Sequence, residues 1–223
     1  MKNNMKKIMI IDGGPRKTMN TAQMLDALIE GAKSANEEVE IKHVRLYDID
    51  YKGCRSCLAC KVKGKATNVC VFKDGLKDVL EDIATADALV LASPIFNCDI
   101  TGEMHSFLER LVFPWLSYVD YSVKAPKRMP VVFVYTMNAT PEQSKMIFEN
   151  IRINEWLVTN GLGEAEHLVA YNTYQVKNYD RFEFAPGQAE YKQAYKDMHW
   201  ADDLQNAYDL GKRLVEKAKE IEV

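Results

Sequence analysis

In "KIMIIDGGPRKTMNTAQML", residues 7–25, an apolar run meets a glycine turn and then a helical stripe. Residues 7–12 have the length and composition of a buried strand ending on Asp12. Gly13, Gly14 and Pro15 break the run. Met24, Leu25, Leu28, Ile29 and Ala32 then recur at helical spacing, which predicts a helix over 20–35. Strand, tight turn and helix in immediate succession open a β–α unit.

The same alternation continues along the chain. Val39, Ile41 and Val44 mark a second strand, "DALVLASP" (87–94) a third, "MPVVFVYTM" (129–137) a fourth and "AEHLVAY" (165–171) a fifth. Between them, Asp74 is placed to cap a helix carrying Leu76, Val79, Leu80 and Ile83. Met104, Phe107, Leu108 and Leu111 stripe the next helix, and Thr140-Pro141 opens one running to about Asn160. A last helix is expected over about 201–219, with Leu204, Ala207, Tyr208, Leu214 and Ala218 inward. The polar, aromatic segment 172–199 has no clear period. Five β–α units in series predict an α/β fold with a parallel sheet and helices on both faces, joined by right-handed crossovers. No repeat or linker interrupts residues 1–223, so a single domain is expected. In such folds ligands bind outside the carboxyl ends of the strands, where strand order reverses.

Composition excludes several function classes. The chain has 223 residues, 47% of them apolar and 27% charged, as in ordinary globular proteins. A net charge of −3 gives no electrostatic basis for binding nucleic acid. No apolar run is long enough for a membrane helix, and the N-terminal apolar run is too short for a secretory leader. A cytoplasmic protein with reduced thiols is expected. Five cysteines, an odd number, also argue against a disulfide framework.

Two loops carry the chemistry. In the first, Gly14 and Pro15 shape the turn, Arg16 and Lys17 add positive charge, and Asn20 and Thr21 offer donors where the helix starts. A loop entering a helix N-terminus suits a phosphate; a solvated basic turn is the bland alternative. The Walker and dinucleotide glycine spacings are both absent. The second, "LASPIFNCDITGEMHSFLERL" (91–111), joins strand three to the next helix. "IDGGPRKTMNTAQML" and this second segment resemble the NADPH-dependent FMN reductase branch of the flavodoxin superfamily, with glycine at 14 where serine is usual. The resemblance extends over most of the chain, including "WADDLQNAYDLGKRLVEKA" near the C-terminus. It implies a flavodoxin-like three-layer sandwich with strand order 2-1-3-4-5. It implies FMN with its phosphate on the first loop, and Ser93, Pro94, Ile95, Phe96 and Asn97 lining the isoalloxazine. Backbone groups at 95–98 would meet the ring's polar edge. A planar apolar ring needs a flat wall and a few fixed polar groups, which Phe96 and Asn97 supply. Topology makes Thr136, Met137 and Asn138 a third wall.

Cys54, Cys57, Cys60 and Cys70 form a C-x2-C-x2-C-x9-C run. Four thiolates suit a [4Fe–4S] cluster. The run resembles the compact motif of iron–sulfur flavoproteins, in which the cluster lies near the FMN of a neighbouring subunit; the final gap here is longer. Zinc, a disulfide, or a plain pocket wall are the alternatives. His43, His105, His167 and His199 lie on separate elements with no ligand or triad spacing. Tyr171, Tyr174, Tyr179 and Phe182 suit an interface or a lid. The expectation is an FMN-dependent oxidoreductase reduced by NAD(P)H or by a redox protein, assembled as a homodimer or homotetramer. No side chain is required as nucleophile or base. An FMN-binding electron carrier without small-substrate turnover, and a cofactor-free interaction module, are the alternatives.

Overall fold

A computed structural model describes residues 5–35, 38–64 and 67–220. Ten elements form the fold: β1 (Lys6–Asp12), α1 (Asn20–Lys33), β2 (Val39–Arg45), α2 (Lys77–Ile83), β3 (Ala88–Pro94), α3 (Gly102–Val112), β4 (Val131–Thr136), α4 (Ser144–Leu162), β5 (Ala165–Ala170) and α5 (Gln188–Glu220). The five strands make one sheet in the order β2-β1-β3-β4-β5, and every neighbouring pair is parallel. This is the flavodoxin-like arrangement expected from the resemblance.

Strand side chains alternate between two cores, as a period of two requires. Ile8, Ile10, Val90, Ala92, Val132 and Val134 pack with Met24, Leu25 and Leu28 of α1 and Leu210 and Leu214 of α5. Met9, Ile11, Leu89, Leu91, Val131 and Phe133 face the other way, against α2, α3 and α4. All seven residues of β3 and all six of β4 are buried, which explains their unbroken apolar runs.

Two elements differ from the sequence expectation. α5 starts at Gln188 instead of near Ala201, so only 172–187 of the unassigned segment is irregular, apart from a short 3-10 turn at Tyr179–Arg181. In its first thirteen residues α5 buries only Lys192, so no apolar stripe announces it. Helix α2 begins at Lys77, and Asp74 lies outside it; the Asp74 carboxylate instead accepts the Leu76 N–H at 3.1 Å. Among the described residues no helix is long and apolar enough to cross a membrane.

α1 and α5 touch backbone to backbone at two glycines. A Cβ on Gly31 would lie 1.8 Å from the Tyr208 carbonyl oxygen, and one on Gly211 would lie 2.0 Å from the Leu28 carbonyl oxygen. Ordinarily, glycine to alanine inside a helix gains about 1 kcal/mol. Here the overlap is with main chain, which cannot rotate away. Gly31→Ala is expected to destabilise the protein by about 2–3 kcal/mol, seen as a lower denaturation midpoint in urea.

Candidate functional site

The first loop is built around a buried carboxylate. Asp12 ends β1 with 1% of its surface exposed. Its Oδ1 accepts the Gly14 N–H at 2.7 Å, and its Oδ2 accepts from Arg45 at the end of β2 at 3.0 Å. The Arg45 guanidinium also donates to the Gly14 carbonyl at 3.3 Å. Gly13 donates its N–H to the Ala92 carbonyl of β3 at 2.8 Å, so the turn is held by three strands. A Cβ at position 14 would stand 2.9 Å from Asp12 Oδ1. That contact accounts for glycine where the resemblance leads one to expect serine.

The turn delivers the chain to a bare helix end. α1 has Met19 at its N-cap, no side-chain cap and no acidic residue in its first turn. Its first N–H groups therefore point outward with a partial positive charge. Pro15 is half-buried, and Arg16 and Lys17 are exposed beside it. Lys17 pairs with Asp48 at 3.1 Å. Arg16 donates to the Gln175 carbonyl at 2.5 Å and Asn20 to the Tyr174 carbonyl at 2.8 Å, so the segment after β5 lies across this loop. Thr21 is buried and shares a 2.8 Å hydroxyl contact with Thr136 at the end of β4.

The second loop turns back on itself. Asn97 and Cys98 both have left-handed φ, at 51° and 62°. Phe96 and Asp99 exchange backbone hydrogen bonds of 2.8 and 3.0 Å around them, as in a primed two-residue hairpin. The result projects Phe96, Asn97 and Cys98 into solvent, with Ile95 half-buried behind them. The Ile95 N–H is taken by the Thr136 carbonyl at 2.9 Å. Among the described residues, the Asn97 and Cys98 N–H groups have no partner. Ser93 does not face outward. It is 1% exposed, donates to the Pro94 carbonyl at 2.8 Å and accepts the Thr101 N–H at 3.0 Å. Pro94 is buried with it. Thr101 caps α3 and donates to the Gly13 carbonyl at 2.9 Å, joining the first two loops.

In the third loop, Thr136 and Met137 are buried and Asn138 is exposed. Met137 is tied on both sides, its N–H to the Ala170 carbonyl at 3.0 Å and its carbonyl to the Thr173 N–H at 2.9 Å. Lys192 went unmarked in the sequence, and α5 buries it to 1% exposure beneath this loop. Its ammonium donates to the Asn138 carbonyl at 3.2 Å and to the Asn172 side-chain oxygen. Burial lowers its pKa to about 8. A lysine in a polar segment reads as solvated surface, and the burial comes only from the tertiary fold.

Below the second loop, α3 carries the cysteine segment; Lys65 and Ala66 within it lie outside the described residues. Cys54, Cys57, Cys60 and Cys70 line one pocket with Phe72, Glu109 and Arg110. Ser56 and Leu58, on either side of Cys57, have left-handed φ of 53° and 56° and wrap the chain round it. Glu109 accepts the Cys54 N–H at 2.9 Å, and a Cβ on Gly53 would sit 2.4 Å from that carboxylate. Lys61 donates to the Phe113, Pro114 and Leu116 carbonyls beyond α3. Burial pushes the Cys60 thiol pKa up, with Lys61 opposing. Among the described residues no three ligating side chains stand at metal-binding spacing. The fold thus gathers the four cysteines around one pocket without closing them into a ligand cage.

Arg110 was invisible in the sequence, where it reads as the polar face of an amphipathic helix. It is 2% exposed and donates to the Cys70 sulfur at 3.0 Å. Burial pushes the Asp74 carboxyl up, but Arg110 and the Leu76 N–H outweigh it and hold it below the usual carboxylate range. Three histidines lie against carboxylates: His43 is 3.7 Å from Asp12, and His105 and His167 are each 3.1 Å from Asp99 and Glu155 respectively.

Residues 6–153, which span β1, both glycine and hairpin loops and the cysteine segment, match the model of the NADPH-dependent FMN reductase family. The chain belongs to this family. An iron–sulfur flavoprotein of Archaeoglobus fulgidus is 33% identical over 108 residues, covering 48% of this chain and 46% of that one. An iron–sulfur flavoprotein of Clostridioides difficile is 28% identical over 124 residues, covering 51% and 53%. The chain thus spans about half the length of the curated relatives it matches. Among solved structures, an NAD(P)H:quinone oxidoreductase from Methanothermobacter marburgensis superposes with a TM-score of 0.67 at 16% identity, over 94% of this chain and 99% of that one. An azoreductase from Bacillus anthracis gives 0.63 at 12% identity, over 94% and 100%. At such identities the likeness is one of fold.

If Asp12 shapes the first loop, Asp12→Ala should free the Gly14 turn and leave Arg45 paired with Asp48, 3.3 Å away, and no longer with the Asp12 carboxylate. The expected loss is about 2 kcal/mol of stability, read by thermal or urea unfolding.

Proposed function

We propose that the protein is an FMN-dependent oxidoreductase, a single domain that takes electrons from NAD(P)H and works in the cytoplasm as a homodimer or homotetramer. The observation that supports this best is the bare N-terminus of α1, flanked by Arg16 and Lys17, at the edge between β1 and β3 where the strand order reverses. It fits a phosphate dianion: free N–H donors, a favourable helix dipole and no acidic residue in the first helical turn. The family match runs through that same loop.

Within this proposal the site residues divide their work. Gly14 and Pro15 shape the phosphate turn; Arg16, Lys17 and Asn20 supply donors; Thr21 fixes the helix start by its contact with Thr136. Ile95, Phe96 and Asn97 offer the ring a wall, and the Asn97 and Cys98 N–H groups meet its polar edge. Ser93, Pro94, Thr136 and Met137, all buried, hold the walls in place. Asn138 is the exposed contact of the third loop, backed by Lys192. Bound FMN supplies the hydride acceptance and electron transfer. No side chain is assigned as acid, base or nucleophile. NAD(P)H would stack on the exposed ring face beside Phe96.

The proposal extends to a [4Fe–4S] cluster held by Cys54, Cys57, Cys60 and Cys70. Support comes from the four cysteines sharing one pocket and from the relatives named iron–sulfur flavoproteins. Four thiolates concentrate negative charge, and Arg110 and Lys61 beside them are suited to offset it. Exposed aromatics, among them Tyr118, Tyr121 and Trp156, are the kind of surface that assembly covers.

FMN-loaded protein mixed anaerobically with NADPH, and separately with NADH, tests the activity. Bleaching of the flavin absorbance by either donor is expected. Full retention of the band with both would contradict the proposal.

A further inference from the structure

Cys54, Cys57 and Cys60 are brought near one another by their own spacing, helped by the left-handed residues at 56 and 58. Nine residues separate Cys70 from that run, too many for spacing alone to place it. Something outside the loop must place it. Arg110 makes contacts that fit the task. Its Nε donates to Cys70 Sγ at 3.0 Å. One terminal nitrogen donates to the Lys52 carbonyl at 3.0 Å and to Asp74 Oδ2 at 2.7 Å. The other donates to Asp74 Oδ1 at 3.1 Å and to the Phe72 carbonyl at 3.4 Å. All five guanidinium N–H donors are thereby used. One partner lies on the limb entering the cysteine loop, and the others on the limb leaving it.

The surroundings favour arginine over any other cation. The Phe72 ring lies 5.3 Å from the Arg110 guanidinium and 4.7 Å from that of Arg55, so two planar cations share one ring. Asp74 takes the fork in two parallel bonds, a geometry lysine cannot reproduce. Arg110 sits on α3, whose Met104, Phe107, Leu108 and Leu111 are buried in the core, so the clamp has a rigid base.

We infer that Arg110 is the positioning residue that delivers Cys70 to the cluster as its fourth ligand, and that its N–H bond to the Cys70 sulfur tunes the cluster's potential. This rests on the cluster proposed above. A hydrogen bond to a ligating sulfur stabilises the more negative, reduced state and so raises the potential. An arginine that merely tied α3 to the loop would leave the potential unmoved.

The test is anaerobic reconstitution of the full chain with FMN, ferrous iron and sulfide, for wild type, Arg110→Lys and Arg110→Gln. Iron and acid-labile sulfide are measured, and the cluster potential is read by a redox titration followed by electron paramagnetic resonance. Wild type is expected to carry about four irons per chain. Arg110→Gln should hold iron about tenfold more weakly or worse, while FMN fluorescence quenching, reporting the fold, persists. Arg110→Lys should recover part of the iron at a more negative potential. If Arg110→Gln fails to fold, Asp74→Asn decides: it keeps an acceptor for the Leu76 N–H, weakens the hold on the guanidinium, and should lower iron retention. Wild-type iron content in Arg110→Gln, or in Asp74→Asn where that variant decides, overturns the inference alone. A wild-type protein that takes up no cluster overturns the cluster proposal and the inference together.

Discussion

One buried carboxylate sets the geometry on which the candidate flavin site depends. Asp12 sits at the carboxyl end of the inner strand β1, between β2 and β3, where an unpaired charge would be costly. Arg45 from β2 and the Gly14 N–H neutralise and saturate it. The same bonds fix the turn that leads into α1, and they leave the α1 N-terminus without a cap of its own. From there the constraint spreads: Gly13 is tied to β3 and to Thr101, Thr101 starts α3, and Thr21 meets Thr136 at the end of β4. Three loops that are distant in sequence are therefore registered to one another before any ligand is considered.

α3 carries that registration further. Its Thr101 cap joins the first two loops of the candidate site, and its Glu109 and Arg110 hold the cysteine segment. At 1.5 Å per residue the two regions are about 12 Å apart along one helix. A helix with a buried apolar stripe keeps such a spacing nearly constant. The two candidate cofactor sites are in this sense a single assembly with a common strut, and the cysteine segment is placed by side chains of α3 more than by its own short turns.

Much of this was legible in the sequence because burial leaves a pattern. β3 and β4 are buried on both faces and read as unbroken apolar runs; α1 and α3 show clean stripes. What escaped was the buried polar chemistry. Arg110 bonds to residues 36, 40 and 58 positions away, and nothing in its neighbours on α3 marks it. Lys192 sits in the half of α5 that packs little apolar surface, so neither the helix nor the lysine had a period to reveal it. The family resemblance implied Ser93 at the ring. Its hydroxyl is instead used to hold Thr101, a role visible only once the hairpin at Asn97-Cys98 is folded.

The central claim is that a phosphate is recognised by the first loop and the bare end of α1. Apo-protein titrated with FMN and, in parallel, with riboflavin tests it most directly, by quenching of flavin fluorescence. The two ligands share the ring and differ in the phosphate. Two charge-assisted hydrogen bonds predict that FMN binds at least about 100-fold more tightly. Equal affinity for the two flavins would contradict the account.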